Sequence, residues 1–94
     1  MSLKLIFMGT PEFALPILKS IHNSDHKILT IYTQPPKKSK RGQKINYSPV
    51  HKLAEEIKVN VRHPENLNNE TEFDFIKSLK PDVVIVVAYG KIIP

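Results

Sequence analysis

The chain has 94 residues, of which 40% are hydrophobic and 24% charged, and its formal net charge is +5 at pH 7. This length permits one small domain with a single core, since a domain of this size buries little more than about 60% of its unfolded surface. The sequence has no cysteine, which excludes disulfides and thiolate metal sites, and no apolar run of the roughly 18 residues that a membrane-spanning helix needs. The first residues do not resemble a signal peptide, so we expect a soluble cytoplasmic protein without membrane partners.

The first predicted element is a buried strand over residues 3–8, which ends at the turn Gly9-Thr10-Pro11. Thr10 is a suitable cap for a following helix with Pro11 at its first position. Pro16 would lie inside that helix and remove a backbone donor, which predicts a loose first turn or a kinked axis. The apolar residues that recur with helical spacing are Ala14, Ile17, Leu18 and Ile21.

A second strand is predicted over residues 27–33, which are mostly β-branched or apolar. A long polar loop follows and ends at Ser48-Pro49, a pattern typical of a helix start. Residues 59–61 would form a short third strand. The apolar face predicted for the second helix consists of Val50, Leu53, Ala54 and Ile57.

A third helix is predicted to begin at Asn69, which forms a capping-box pattern with Glu72, and to stop at Pro81. Residues 83–88 are apolar at every position and lack the alternation of a strand with one wet face, so we expect this fourth strand to be buried on both sides. The buried face of the third helix is predicted to contain Phe73, Ile76 and Leu79.

The alternation of four strands with three helices predicts an α/β fold with a parallel sheet and right-handed crossovers. We assume that the first strand is central, with the second and third on one side and the fourth on the other. Ligands of such sheets bind beyond the carboxyl ends of the strands. The predicted crevice therefore lies between residues 9–13 and 89–94, and the polar loop leaves the same edge.

The polar loop, residues 34–48, carries all of the chain's excess charge. It holds five of the 14 basic residues and no acid, and the rest of the chain is balanced. Loops this long without secondary-structure signals are usually functional or disordered. The clustered cations indicate a polyanion such as RNA, although a solvated surface run remains open. The five basic residues are Lys37, Lys38, Lys40, Arg41 and Lys44.

Two other candidate sites follow the first and fourth strands. Residues 9–12 could cradle a phosphate, but the single glycine, the proline and Glu12 favour a plain strand-to-helix turn. Residues 89–94 suit a flat heteroaromatic ligand, while Tyr89 and Ile92 could equally be core residues. We expect the four histidines to have surface or structural roles, since the sequence offers them no cysteine partners for a metal site. The sequence also offers no pair of nucleophile and base and no pair of facing carboxylates, so it predicts no catalytic site.

Five stretches of the sequence, in their order and spacing, resemble the start of the methionyl-tRNA formyltransferase family. The resemblance runs from about Leu3 to the last residue, and the basic insert separates this family from relatives that formylate small molecules. The stretches are residues 7–14, 32–36, 40–44, 48–50 and 86–94.

The resemblance implies a Rossmann-like, doubly wound formyltransferase fold. It also implies an enzyme of translation initiation that needs no metal and transfers a formyl group from 10-formyltetrahydrofolate to the α-amino group of methionyl initiator tRNA. The amine would attack the formyl carbon, and the resulting oxyanion would need stabilising.

The resemblance further assigns three groups of site residues. The insert would reach the tRNA acceptor end, the loop after the fourth strand would hold the pteridine ring of the folate, and the first turn would face the aminoacyl end. The residues assigned to the tRNA acceptor end are Lys38, Lys40, Arg41 and Lys44. Those assigned to the pteridine ring are Val87, Ala88, Tyr89, Lys91, Ile92 and Pro94. Those assigned to the aminoacyl end are Gly9, Thr10 and Phe13.

The family's catalytic asparagine and histidine lie around an H-G-S-L-L-P stretch, with an aspartate also downstream, and the sequence stops before them. We therefore expect residues 1–94 to be the N-terminal portion of a formyltransferase catalytic domain, inactive alone. An uncovered apolar strand at residues 83–88 predicts that this portion is marginally stable, self-associating or domain-swapped, whereas the full-length protein would be a monomer. Two alternatives remain: a small RNA-binding module, and a formyltransferase that acts on an amino sugar nucleotide. The five cations count against the second.

Overall fold

A parallel sheet with helices on both faces organises the chain. The computed structural model describes residues 2–38 and 45–90. In chain order the elements are β1 (Lys4–Gly9), a 3-10 helix (Glu12–Ala14), α1 (Leu15–His22), β2 (Lys27–Tyr32), β3 (Lys37–Lys38), β4 (Ile45–Asn46), α2 (Pro49–Glu56), β5 (Val61–Arg62), α3 (Glu70–Leu79) and β6 (Val83–Val87). None of the helices in the described ranges is long and apolar enough to cross a membrane.

The main sheet has the strand order β5-β2-β1-β6, and all of its pairs are parallel. This order agrees with the assumption that the first strand is central. The third strand lies slightly later than predicted, because β2 pairs Ile31 with Val61 and Tyr32 with Arg62. The carboxyl ends of β1, β2 and β6 consequently meet at one edge of the sheet.

The two faces of β1 contribute to two separate core clusters. Leu5 and Phe7 pack with buried residues of α1 and α2 on one face. Ile6 and Met8 point to the other face, where partly buried residues of α3 cover them. This alternation follows from the period of two in a strand, and it leaves β1 covered on both sides.

The start of the first helix differs from the prediction. Thr10 does not cap it, because its hydroxyl donates to the carbonyl of Tyr89 instead, with an O···O distance of 2.7 Å. The chain passes from Pro11 into the 3-10 helix, and the α-helix begins only at Leu15. Pro16 therefore lies in the first turn of α1, where a missing backbone donor is tolerated. The late start explains why a proline is compatible with this helix.

The second helix begins as predicted, and the third does so only in part. Ser48 caps α2 by accepting from the backbone N–H of His51, with Pro49 at the first helical position. Asn69 caps α3 by accepting from the backbone N–H of Glu72. Glu72 does not complete the capping box, because its carboxylate pairs with Arg62.

The buried face of α3 is shifted from the predicted one. Phe73 is 41% exposed, so its assignment to the core was wrong, whereas Ile76 and Leu79 pack against the sheet together with Phe75. Glu72 belongs to the same face and is only 4% exposed. The spacing of residues 72, 75, 76 and 79 is helical, but a glutamate in the inward stripe hides that pattern.

The predictions for the fourth strand and the polar loop need correction. Val83, Val84 and Val86 of β6 are 36%, 39% and 47% exposed, because β6 is an edge strand that pairs with β1 alone among the described strands. The polar loop contains secondary structure: Lys37 pairs with Asn46 and Lys38 with Ile45 in an antiparallel ribbon. Residues 39–44 lie outside the described residues.

Candidate functional site

Polar residues from four segments meet at the carboxyl edge of the main sheet. Thr10 follows β1, Thr33 and Gln34 follow β2, Ser48 precedes α2, and Tyr89 follows β6. The parallel arrangement of the three strands brings these segments together. The basic insert, residues 34–48, therefore starts and ends beside the loop that leaves β6.

A chain of hydroxyl groups connects these segments. The backbone N–H of His51 donates to Ser48 Oγ at 3.0 Å, and Ser48 Oγ lies 2.6 Å from Thr33 Oγ1. Thr33 Oγ1 donates to Thr10 Oγ1 over a longer distance of 3.5 Å, and Thr10 Oγ1 donates to the Tyr89 carbonyl at 2.7 Å. Thr33 is fully buried, so water does not compete for its hydrogen bonds.

Gln34 links the insert directly to the loop after β6. Its backbone N–H donates to Thr10 Oγ1, and its side-chain Nε2 donates to the Tyr89 carbonyl, both at 3.2 Å. Gly90 has φ = +87°, and a Cβ at this position would collide with the Gln34 carboxamide. The left-handed backbone favours glycine at residue 90, and any larger residue there would also displace the Gln34 carboxamide.

A partly open cavity of about 290 Å³ lies beneath the ribbon formed by β3 and β4. Its walls combine hydroxyl and amide groups with two prolines and one lysine, and most of the lining surface is apolar, which suits a ligand with an apolar body and a few polar groups. The lining residues are Thr10, Gln34, Pro35, Lys37, Asn46, Ser48 and Pro49.

The residues predicted to bind folate lie at different depths. Val87 is half-buried at the end of β6, and Ala88 is exposed with φ = +50°. Tyr89 is only 1% exposed and packs in the core cluster that contains Ile6 and Met8. Burial raises the pKa of the Tyr89 hydroxyl. The remaining predicted residues, Lys91, Ile92 and Pro94, lie outside the described residues.

The residues predicted to face the aminoacyl end are spread over the turn after β1. Gly9 is buried, and a Cβ there would lie 2.8 Å from the Phe7 ring and 2.9 Å from the Val87 carbonyl, so close packing of β1 against β6 requires a glycine. Thr10 belongs to the hydroxyl chain. Phe13 is 66% exposed on the 3-10 helix, and this large apolar side chain is available for contact.

Only the base of the predicted tRNA-binding segment can be located. Lys38 is in β3, and Lys37 beside it is exposed. Lys40, Arg41 and Lys44 fall outside the described residues. The ribbon emerges from the same edge as the loop after β6.

Sequence reasoning missed Thr33 and Gln34 and gave Ser48 only the role of a helix cap. The available signal was position, since polar residues directly after parallel strands lie at the ligand-binding edge. It also gave Thr10 a local capping role, although its partners lie 23 to 79 residues away in the sequence. Local patterns cannot reveal such partners.

The sequence predicts surface or structural roles for the histidines, and His51 has the most extensive contacts among them. His51 is buried, stacks near Tyr47 and His63, and lies 2.8 Å from the carboxylate of Glu55. Within residues 2–38 and 45–90, no three side chains of the metal-binding types come together.

The amino-acid sequence is similar to those of several known proteins and matches one protein family. Three similar proteins are named methionyl-tRNA formyltransferase: those of Pelagibacter ubique, with 54% identity over 100% of this chain and 31% of that protein; Rickettsia bellii, with 47% over 98% and 30%; and Caldanaerobacter subterraneus, with 45% over 98% and 30%. The chain thus spans about a third of the length of these curated relatives. A family profile described as formyl transferase matches residues 3–94. Because that match covers nearly the whole chain, the chain belongs to the formyl transferase family.

Proposed function

We propose that the protein carrying this chain transfers a formyl group from 10-formyltetrahydrofolate to the α-amino group of methionyl initiator tRNA. The observation that carries this proposal is the direct contact between the base of the basic insert and the loop after β6, through Gln34 and the Tyr89 carbonyl. An insert that binds RNA and a loop that binds the donor would then present both substrates at one edge of the sheet. The names of the similar proteins support the same activity.

The proposed reaction is a nucleophilic acyl transfer. The neutral amine of the methionyl group attacks the formyl carbon and forms a new C–N bond, and the bond from that carbon to N10 of the folate breaks. The amine loses a proton, which ends on N10 of the leaving tetrahydrofolate. The oxyanion of the tetrahedral intermediate needs hydrogen-bond donors. We assign the catalytic groups to residues beyond Pro94, and the activity to the cytoplasm, where tRNA is charged.

The insert supplies the proposed contacts to RNA. Lysine side chains act as point charges toward phosphates, whereas the planar guanidinium of Arg41 can bind bidentately or stack on an unpaired base of the acceptor end. Phosphate contacts from four such side chains would give a salt slope of about −3 to −4. The proposed contact residues are Lys38, Lys40, Arg41 and Lys44.

The loop after β6 supplies the proposed contacts to the donor. Val87, Ala88, Tyr89, Lys91, Ile92 and Pro94 would line the pteridine ring. Because the Tyr89 ring is buried in the core, we expect this residue to contribute its backbone position and not its hydroxyl. Gly9, Thr10 and Phe13 would face the aminoacyl end, with the exposed Phe13 ring against the methionyl side chain.

The test is a formylation assay with the full-length protein, 10-formyltetrahydrofolate and methionyl initiator tRNA. We expect formylmethionyl-tRNA, and we expect Arg41→Ala to raise KM for tRNA and to reduce the magnitude of the salt slope by about 1. Lys77→Ala, which removes an exposed cation on α3, is the matched control and should change neither. Binding of tRNA without transfer would support the RNA-binding module instead. Transfer only to an amino sugar nucleotide would support the other formyltransferase.

A further inference from the structure

We infer that Thr10, Thr33, Gln34 and Ser48 form a polar clamp that positions the β3–β4 ribbon against the loop after β6. This inference rests on the proposed function and deepens it, because the clamp would set how the RNA and the formyl donor meet. The four residues are positioning residues, and their proposed effect is transmitted through the segments that they connect.

The direction of the hydrogen bonds in the clamp follows from simple counting. The Tyr89 carbonyl can only accept, so the single hydroxyl hydrogen of Thr10 is used there. Thr10 Oγ1 must then accept from both Thr33 Oγ1 and the Gln34 N–H. With the Thr33 hydrogen directed at Thr10, the hydrogen in the 2.6 Å contact comes from Ser48. Each hydroxyl therefore donates once and accepts at least once.

The clamp joins both ends of the insert to each other and to a third segment. Thr33 directly precedes the insert and Ser48 is its last residue, and their hydroxyl oxygens are 2.6 Å apart. Gln34 and Thr10 then attach this closed base to the Tyr89 carbonyl. The longest contact in the clamp is the 3.5 Å between Thr33 and Thr10. The connection does not depend on it, because the adjacent Gln34 donates hydrogen bonds to Thr10 and to the Tyr89 carbonyl. The ribbon cannot shift relative to residue 89 without breaking a partly buried hydrogen bond.

A rigid connection of this kind couples two binding events. A ligand that fixes the ribbon also fixes the Tyr89 carbonyl, and a ligand on the loop after β6 fixes the ribbon in return. Coupling between two sites is reciprocal and commonly changes an affinity by about 5- to 150-fold. We expect the clamp to give positive coupling between RNA and folate.

The test compares two threonines of one segment in the full-length protein. Thr33→Val removes a buried hydroxyl of the clamp. Thr30→Val removes an equally buried hydroxyl, whose hydrogen bonds among the described residues are both to Asn60, at 3.1 Å and 3.0 Å. The two variants should lose similar thermal stability. We expect Thr33→Val alone to lower kcat/KM for charged tRNA by about tenfold, with Thr33→Ser restoring the wild-type value.

A second measurement does not depend on formyl transfer. Trypsin cleaves after lysine, and Lys37 and Lys38 form β3. We expect cleavage after these two residues to accelerate about five- to tenfold in Thr33→Val, since losing a hydrogen bond of typical net strength shifts a local opening equilibrium by that factor. Thr30→Val should be cleaved like the wild type. If Thr33→Val fails to fold, Gln34→Ala replaces it in this comparison of cleavage rates, because it removes the partly exposed hydrogen bond from the Gln34 side chain to the Tyr89 carbonyl.

The outcomes separate the two proposals. Faster cleavage of Thr33→Val in a protein that does not formylate tRNA would overturn the proposed function and keep the clamp. Normal formylation by the wild type, with Thr33→Val and Thr30→Val equal in both kcat/KM and cleavage, would overturn the clamp. Failure of Thr33→Ser to restore kcat/KM would also count against it.

Discussion

At the scale of single residues, Tyr89 shows how one side chain and its own backbone take separate roles. The ring is buried in the core cluster beside β1, while the carbonyl accepts hydrogen bonds from Thr10 and Gln34 at the sheet edge. The ring packs residue 89 into the core, and the carbonyl connects the same residue to the clamp. A packing residue therefore controls the geometry of the candidate site without presenting its side chain to it.

This division of roles predicts different effects for two substitutions of Tyr89. Its hydroxyl is buried without a hydrogen-bond partner in the described part of the chain, so Tyr89→Phe should be neutral or should stabilise by less than about 1 kcal/mol. Tyr89→Ala should cost about 3–5 kcal/mol through the cavity that it leaves. Urea unfolding of both variants and the wild type, at micromolar protein concentration, measures these changes in the free energy of unfolding. A loss of more than about 1 kcal/mol in Tyr89→Phe would show that the hydroxyl has a partner.

The residues of the site were less predictable than the strands that carry them. Apolar runs indicated the strands to within about two residues, and Ser48-Pro49 marked the start of α2, but the turn after Gly9 did not mark the start of α1, which begins only at Leu15. Thr10 looked like a local cap because a hydroxyl before a proline has that role in many helices. Its actual partners, Thr33, Gln34 and Tyr89, come from two other segments, and only the assembled sheet brings them together.

At the scale of elements, an ion pair attaches α3 to β5. Arg62 Nε donates to Glu72 Oε1 at 2.8 Å, and Arg62 Nη2 donates to Oε2 at 2.7 Å. The guanidinium also lies 3.9 Å from the centre of the Phe75 ring. The hydrogen bonds from Arg62 are the main reason that the pKa of Glu72 is lowered, despite the opposing effect of burial. The pair explains why a glutamate occupies the inward face of a helix.

Removing the arginine should reverse the pH dependence of stability. In the wild type, the lowered pKa of Glu72 gives stability that is complete above its ordinary value of 4.5 and is lost as the pH falls through the folded-state pKa. In Arg62→Met the carboxylate stays buried without a counter-ion, which should cost about 3 kcal/mol near neutral pH. Burial then raises the pKa of Glu72, so the variant should become more stable as the pH falls from 7 toward 5.

Urea unfolding between pH 4 and 8 checks this reversal. The double variant Arg62→Met, Glu72→Met should recover most of the lost stability, because it also removes the buried carboxylate that the single variant leaves without a counter-ion. Glu70→Gln removes an exposed acid of the same helix and is the control. In this variant we expect no reversal of the pH dependence of stability. An Arg62→Met variant that keeps the wild-type slope would show that Glu72 moves into solvent.

At the scale of the whole molecule, the two edges of the main sheet are unequal. One edge is β5, with only two residues, and the other is β6, with five. The parallel pairing of the strands was predictable from the alternation of strands and helices, whereas their order rested on the assumption that the first strand is central. The exposure of β6 was not predictable, since an unbroken apolar run reads as a strand covered on both faces. The composition of a strand indicates whether its two faces need to be covered by other residues. It does not show whether the described residues cover them.

The exposed edge predicts that the 94-residue chain self-associates in isolation. Val84 and Val86 are 39% and 47% exposed on a strand whose outer edge is unpaired among the described residues, and apolar edge strands of this kind template pairing with other chains. Light scattering after size-exclusion chromatography should give a mass that rises with protein concentration. Val86→Lys should lower the association, because a charge on the edge opposes strand pairing. Phe73→Lys, which removes an apolar side chain of similar fractional exposure from α3, should leave it unchanged. A chain that stays monomeric at every concentration, or two variants that behave alike, would show that β6 is not the associating surface.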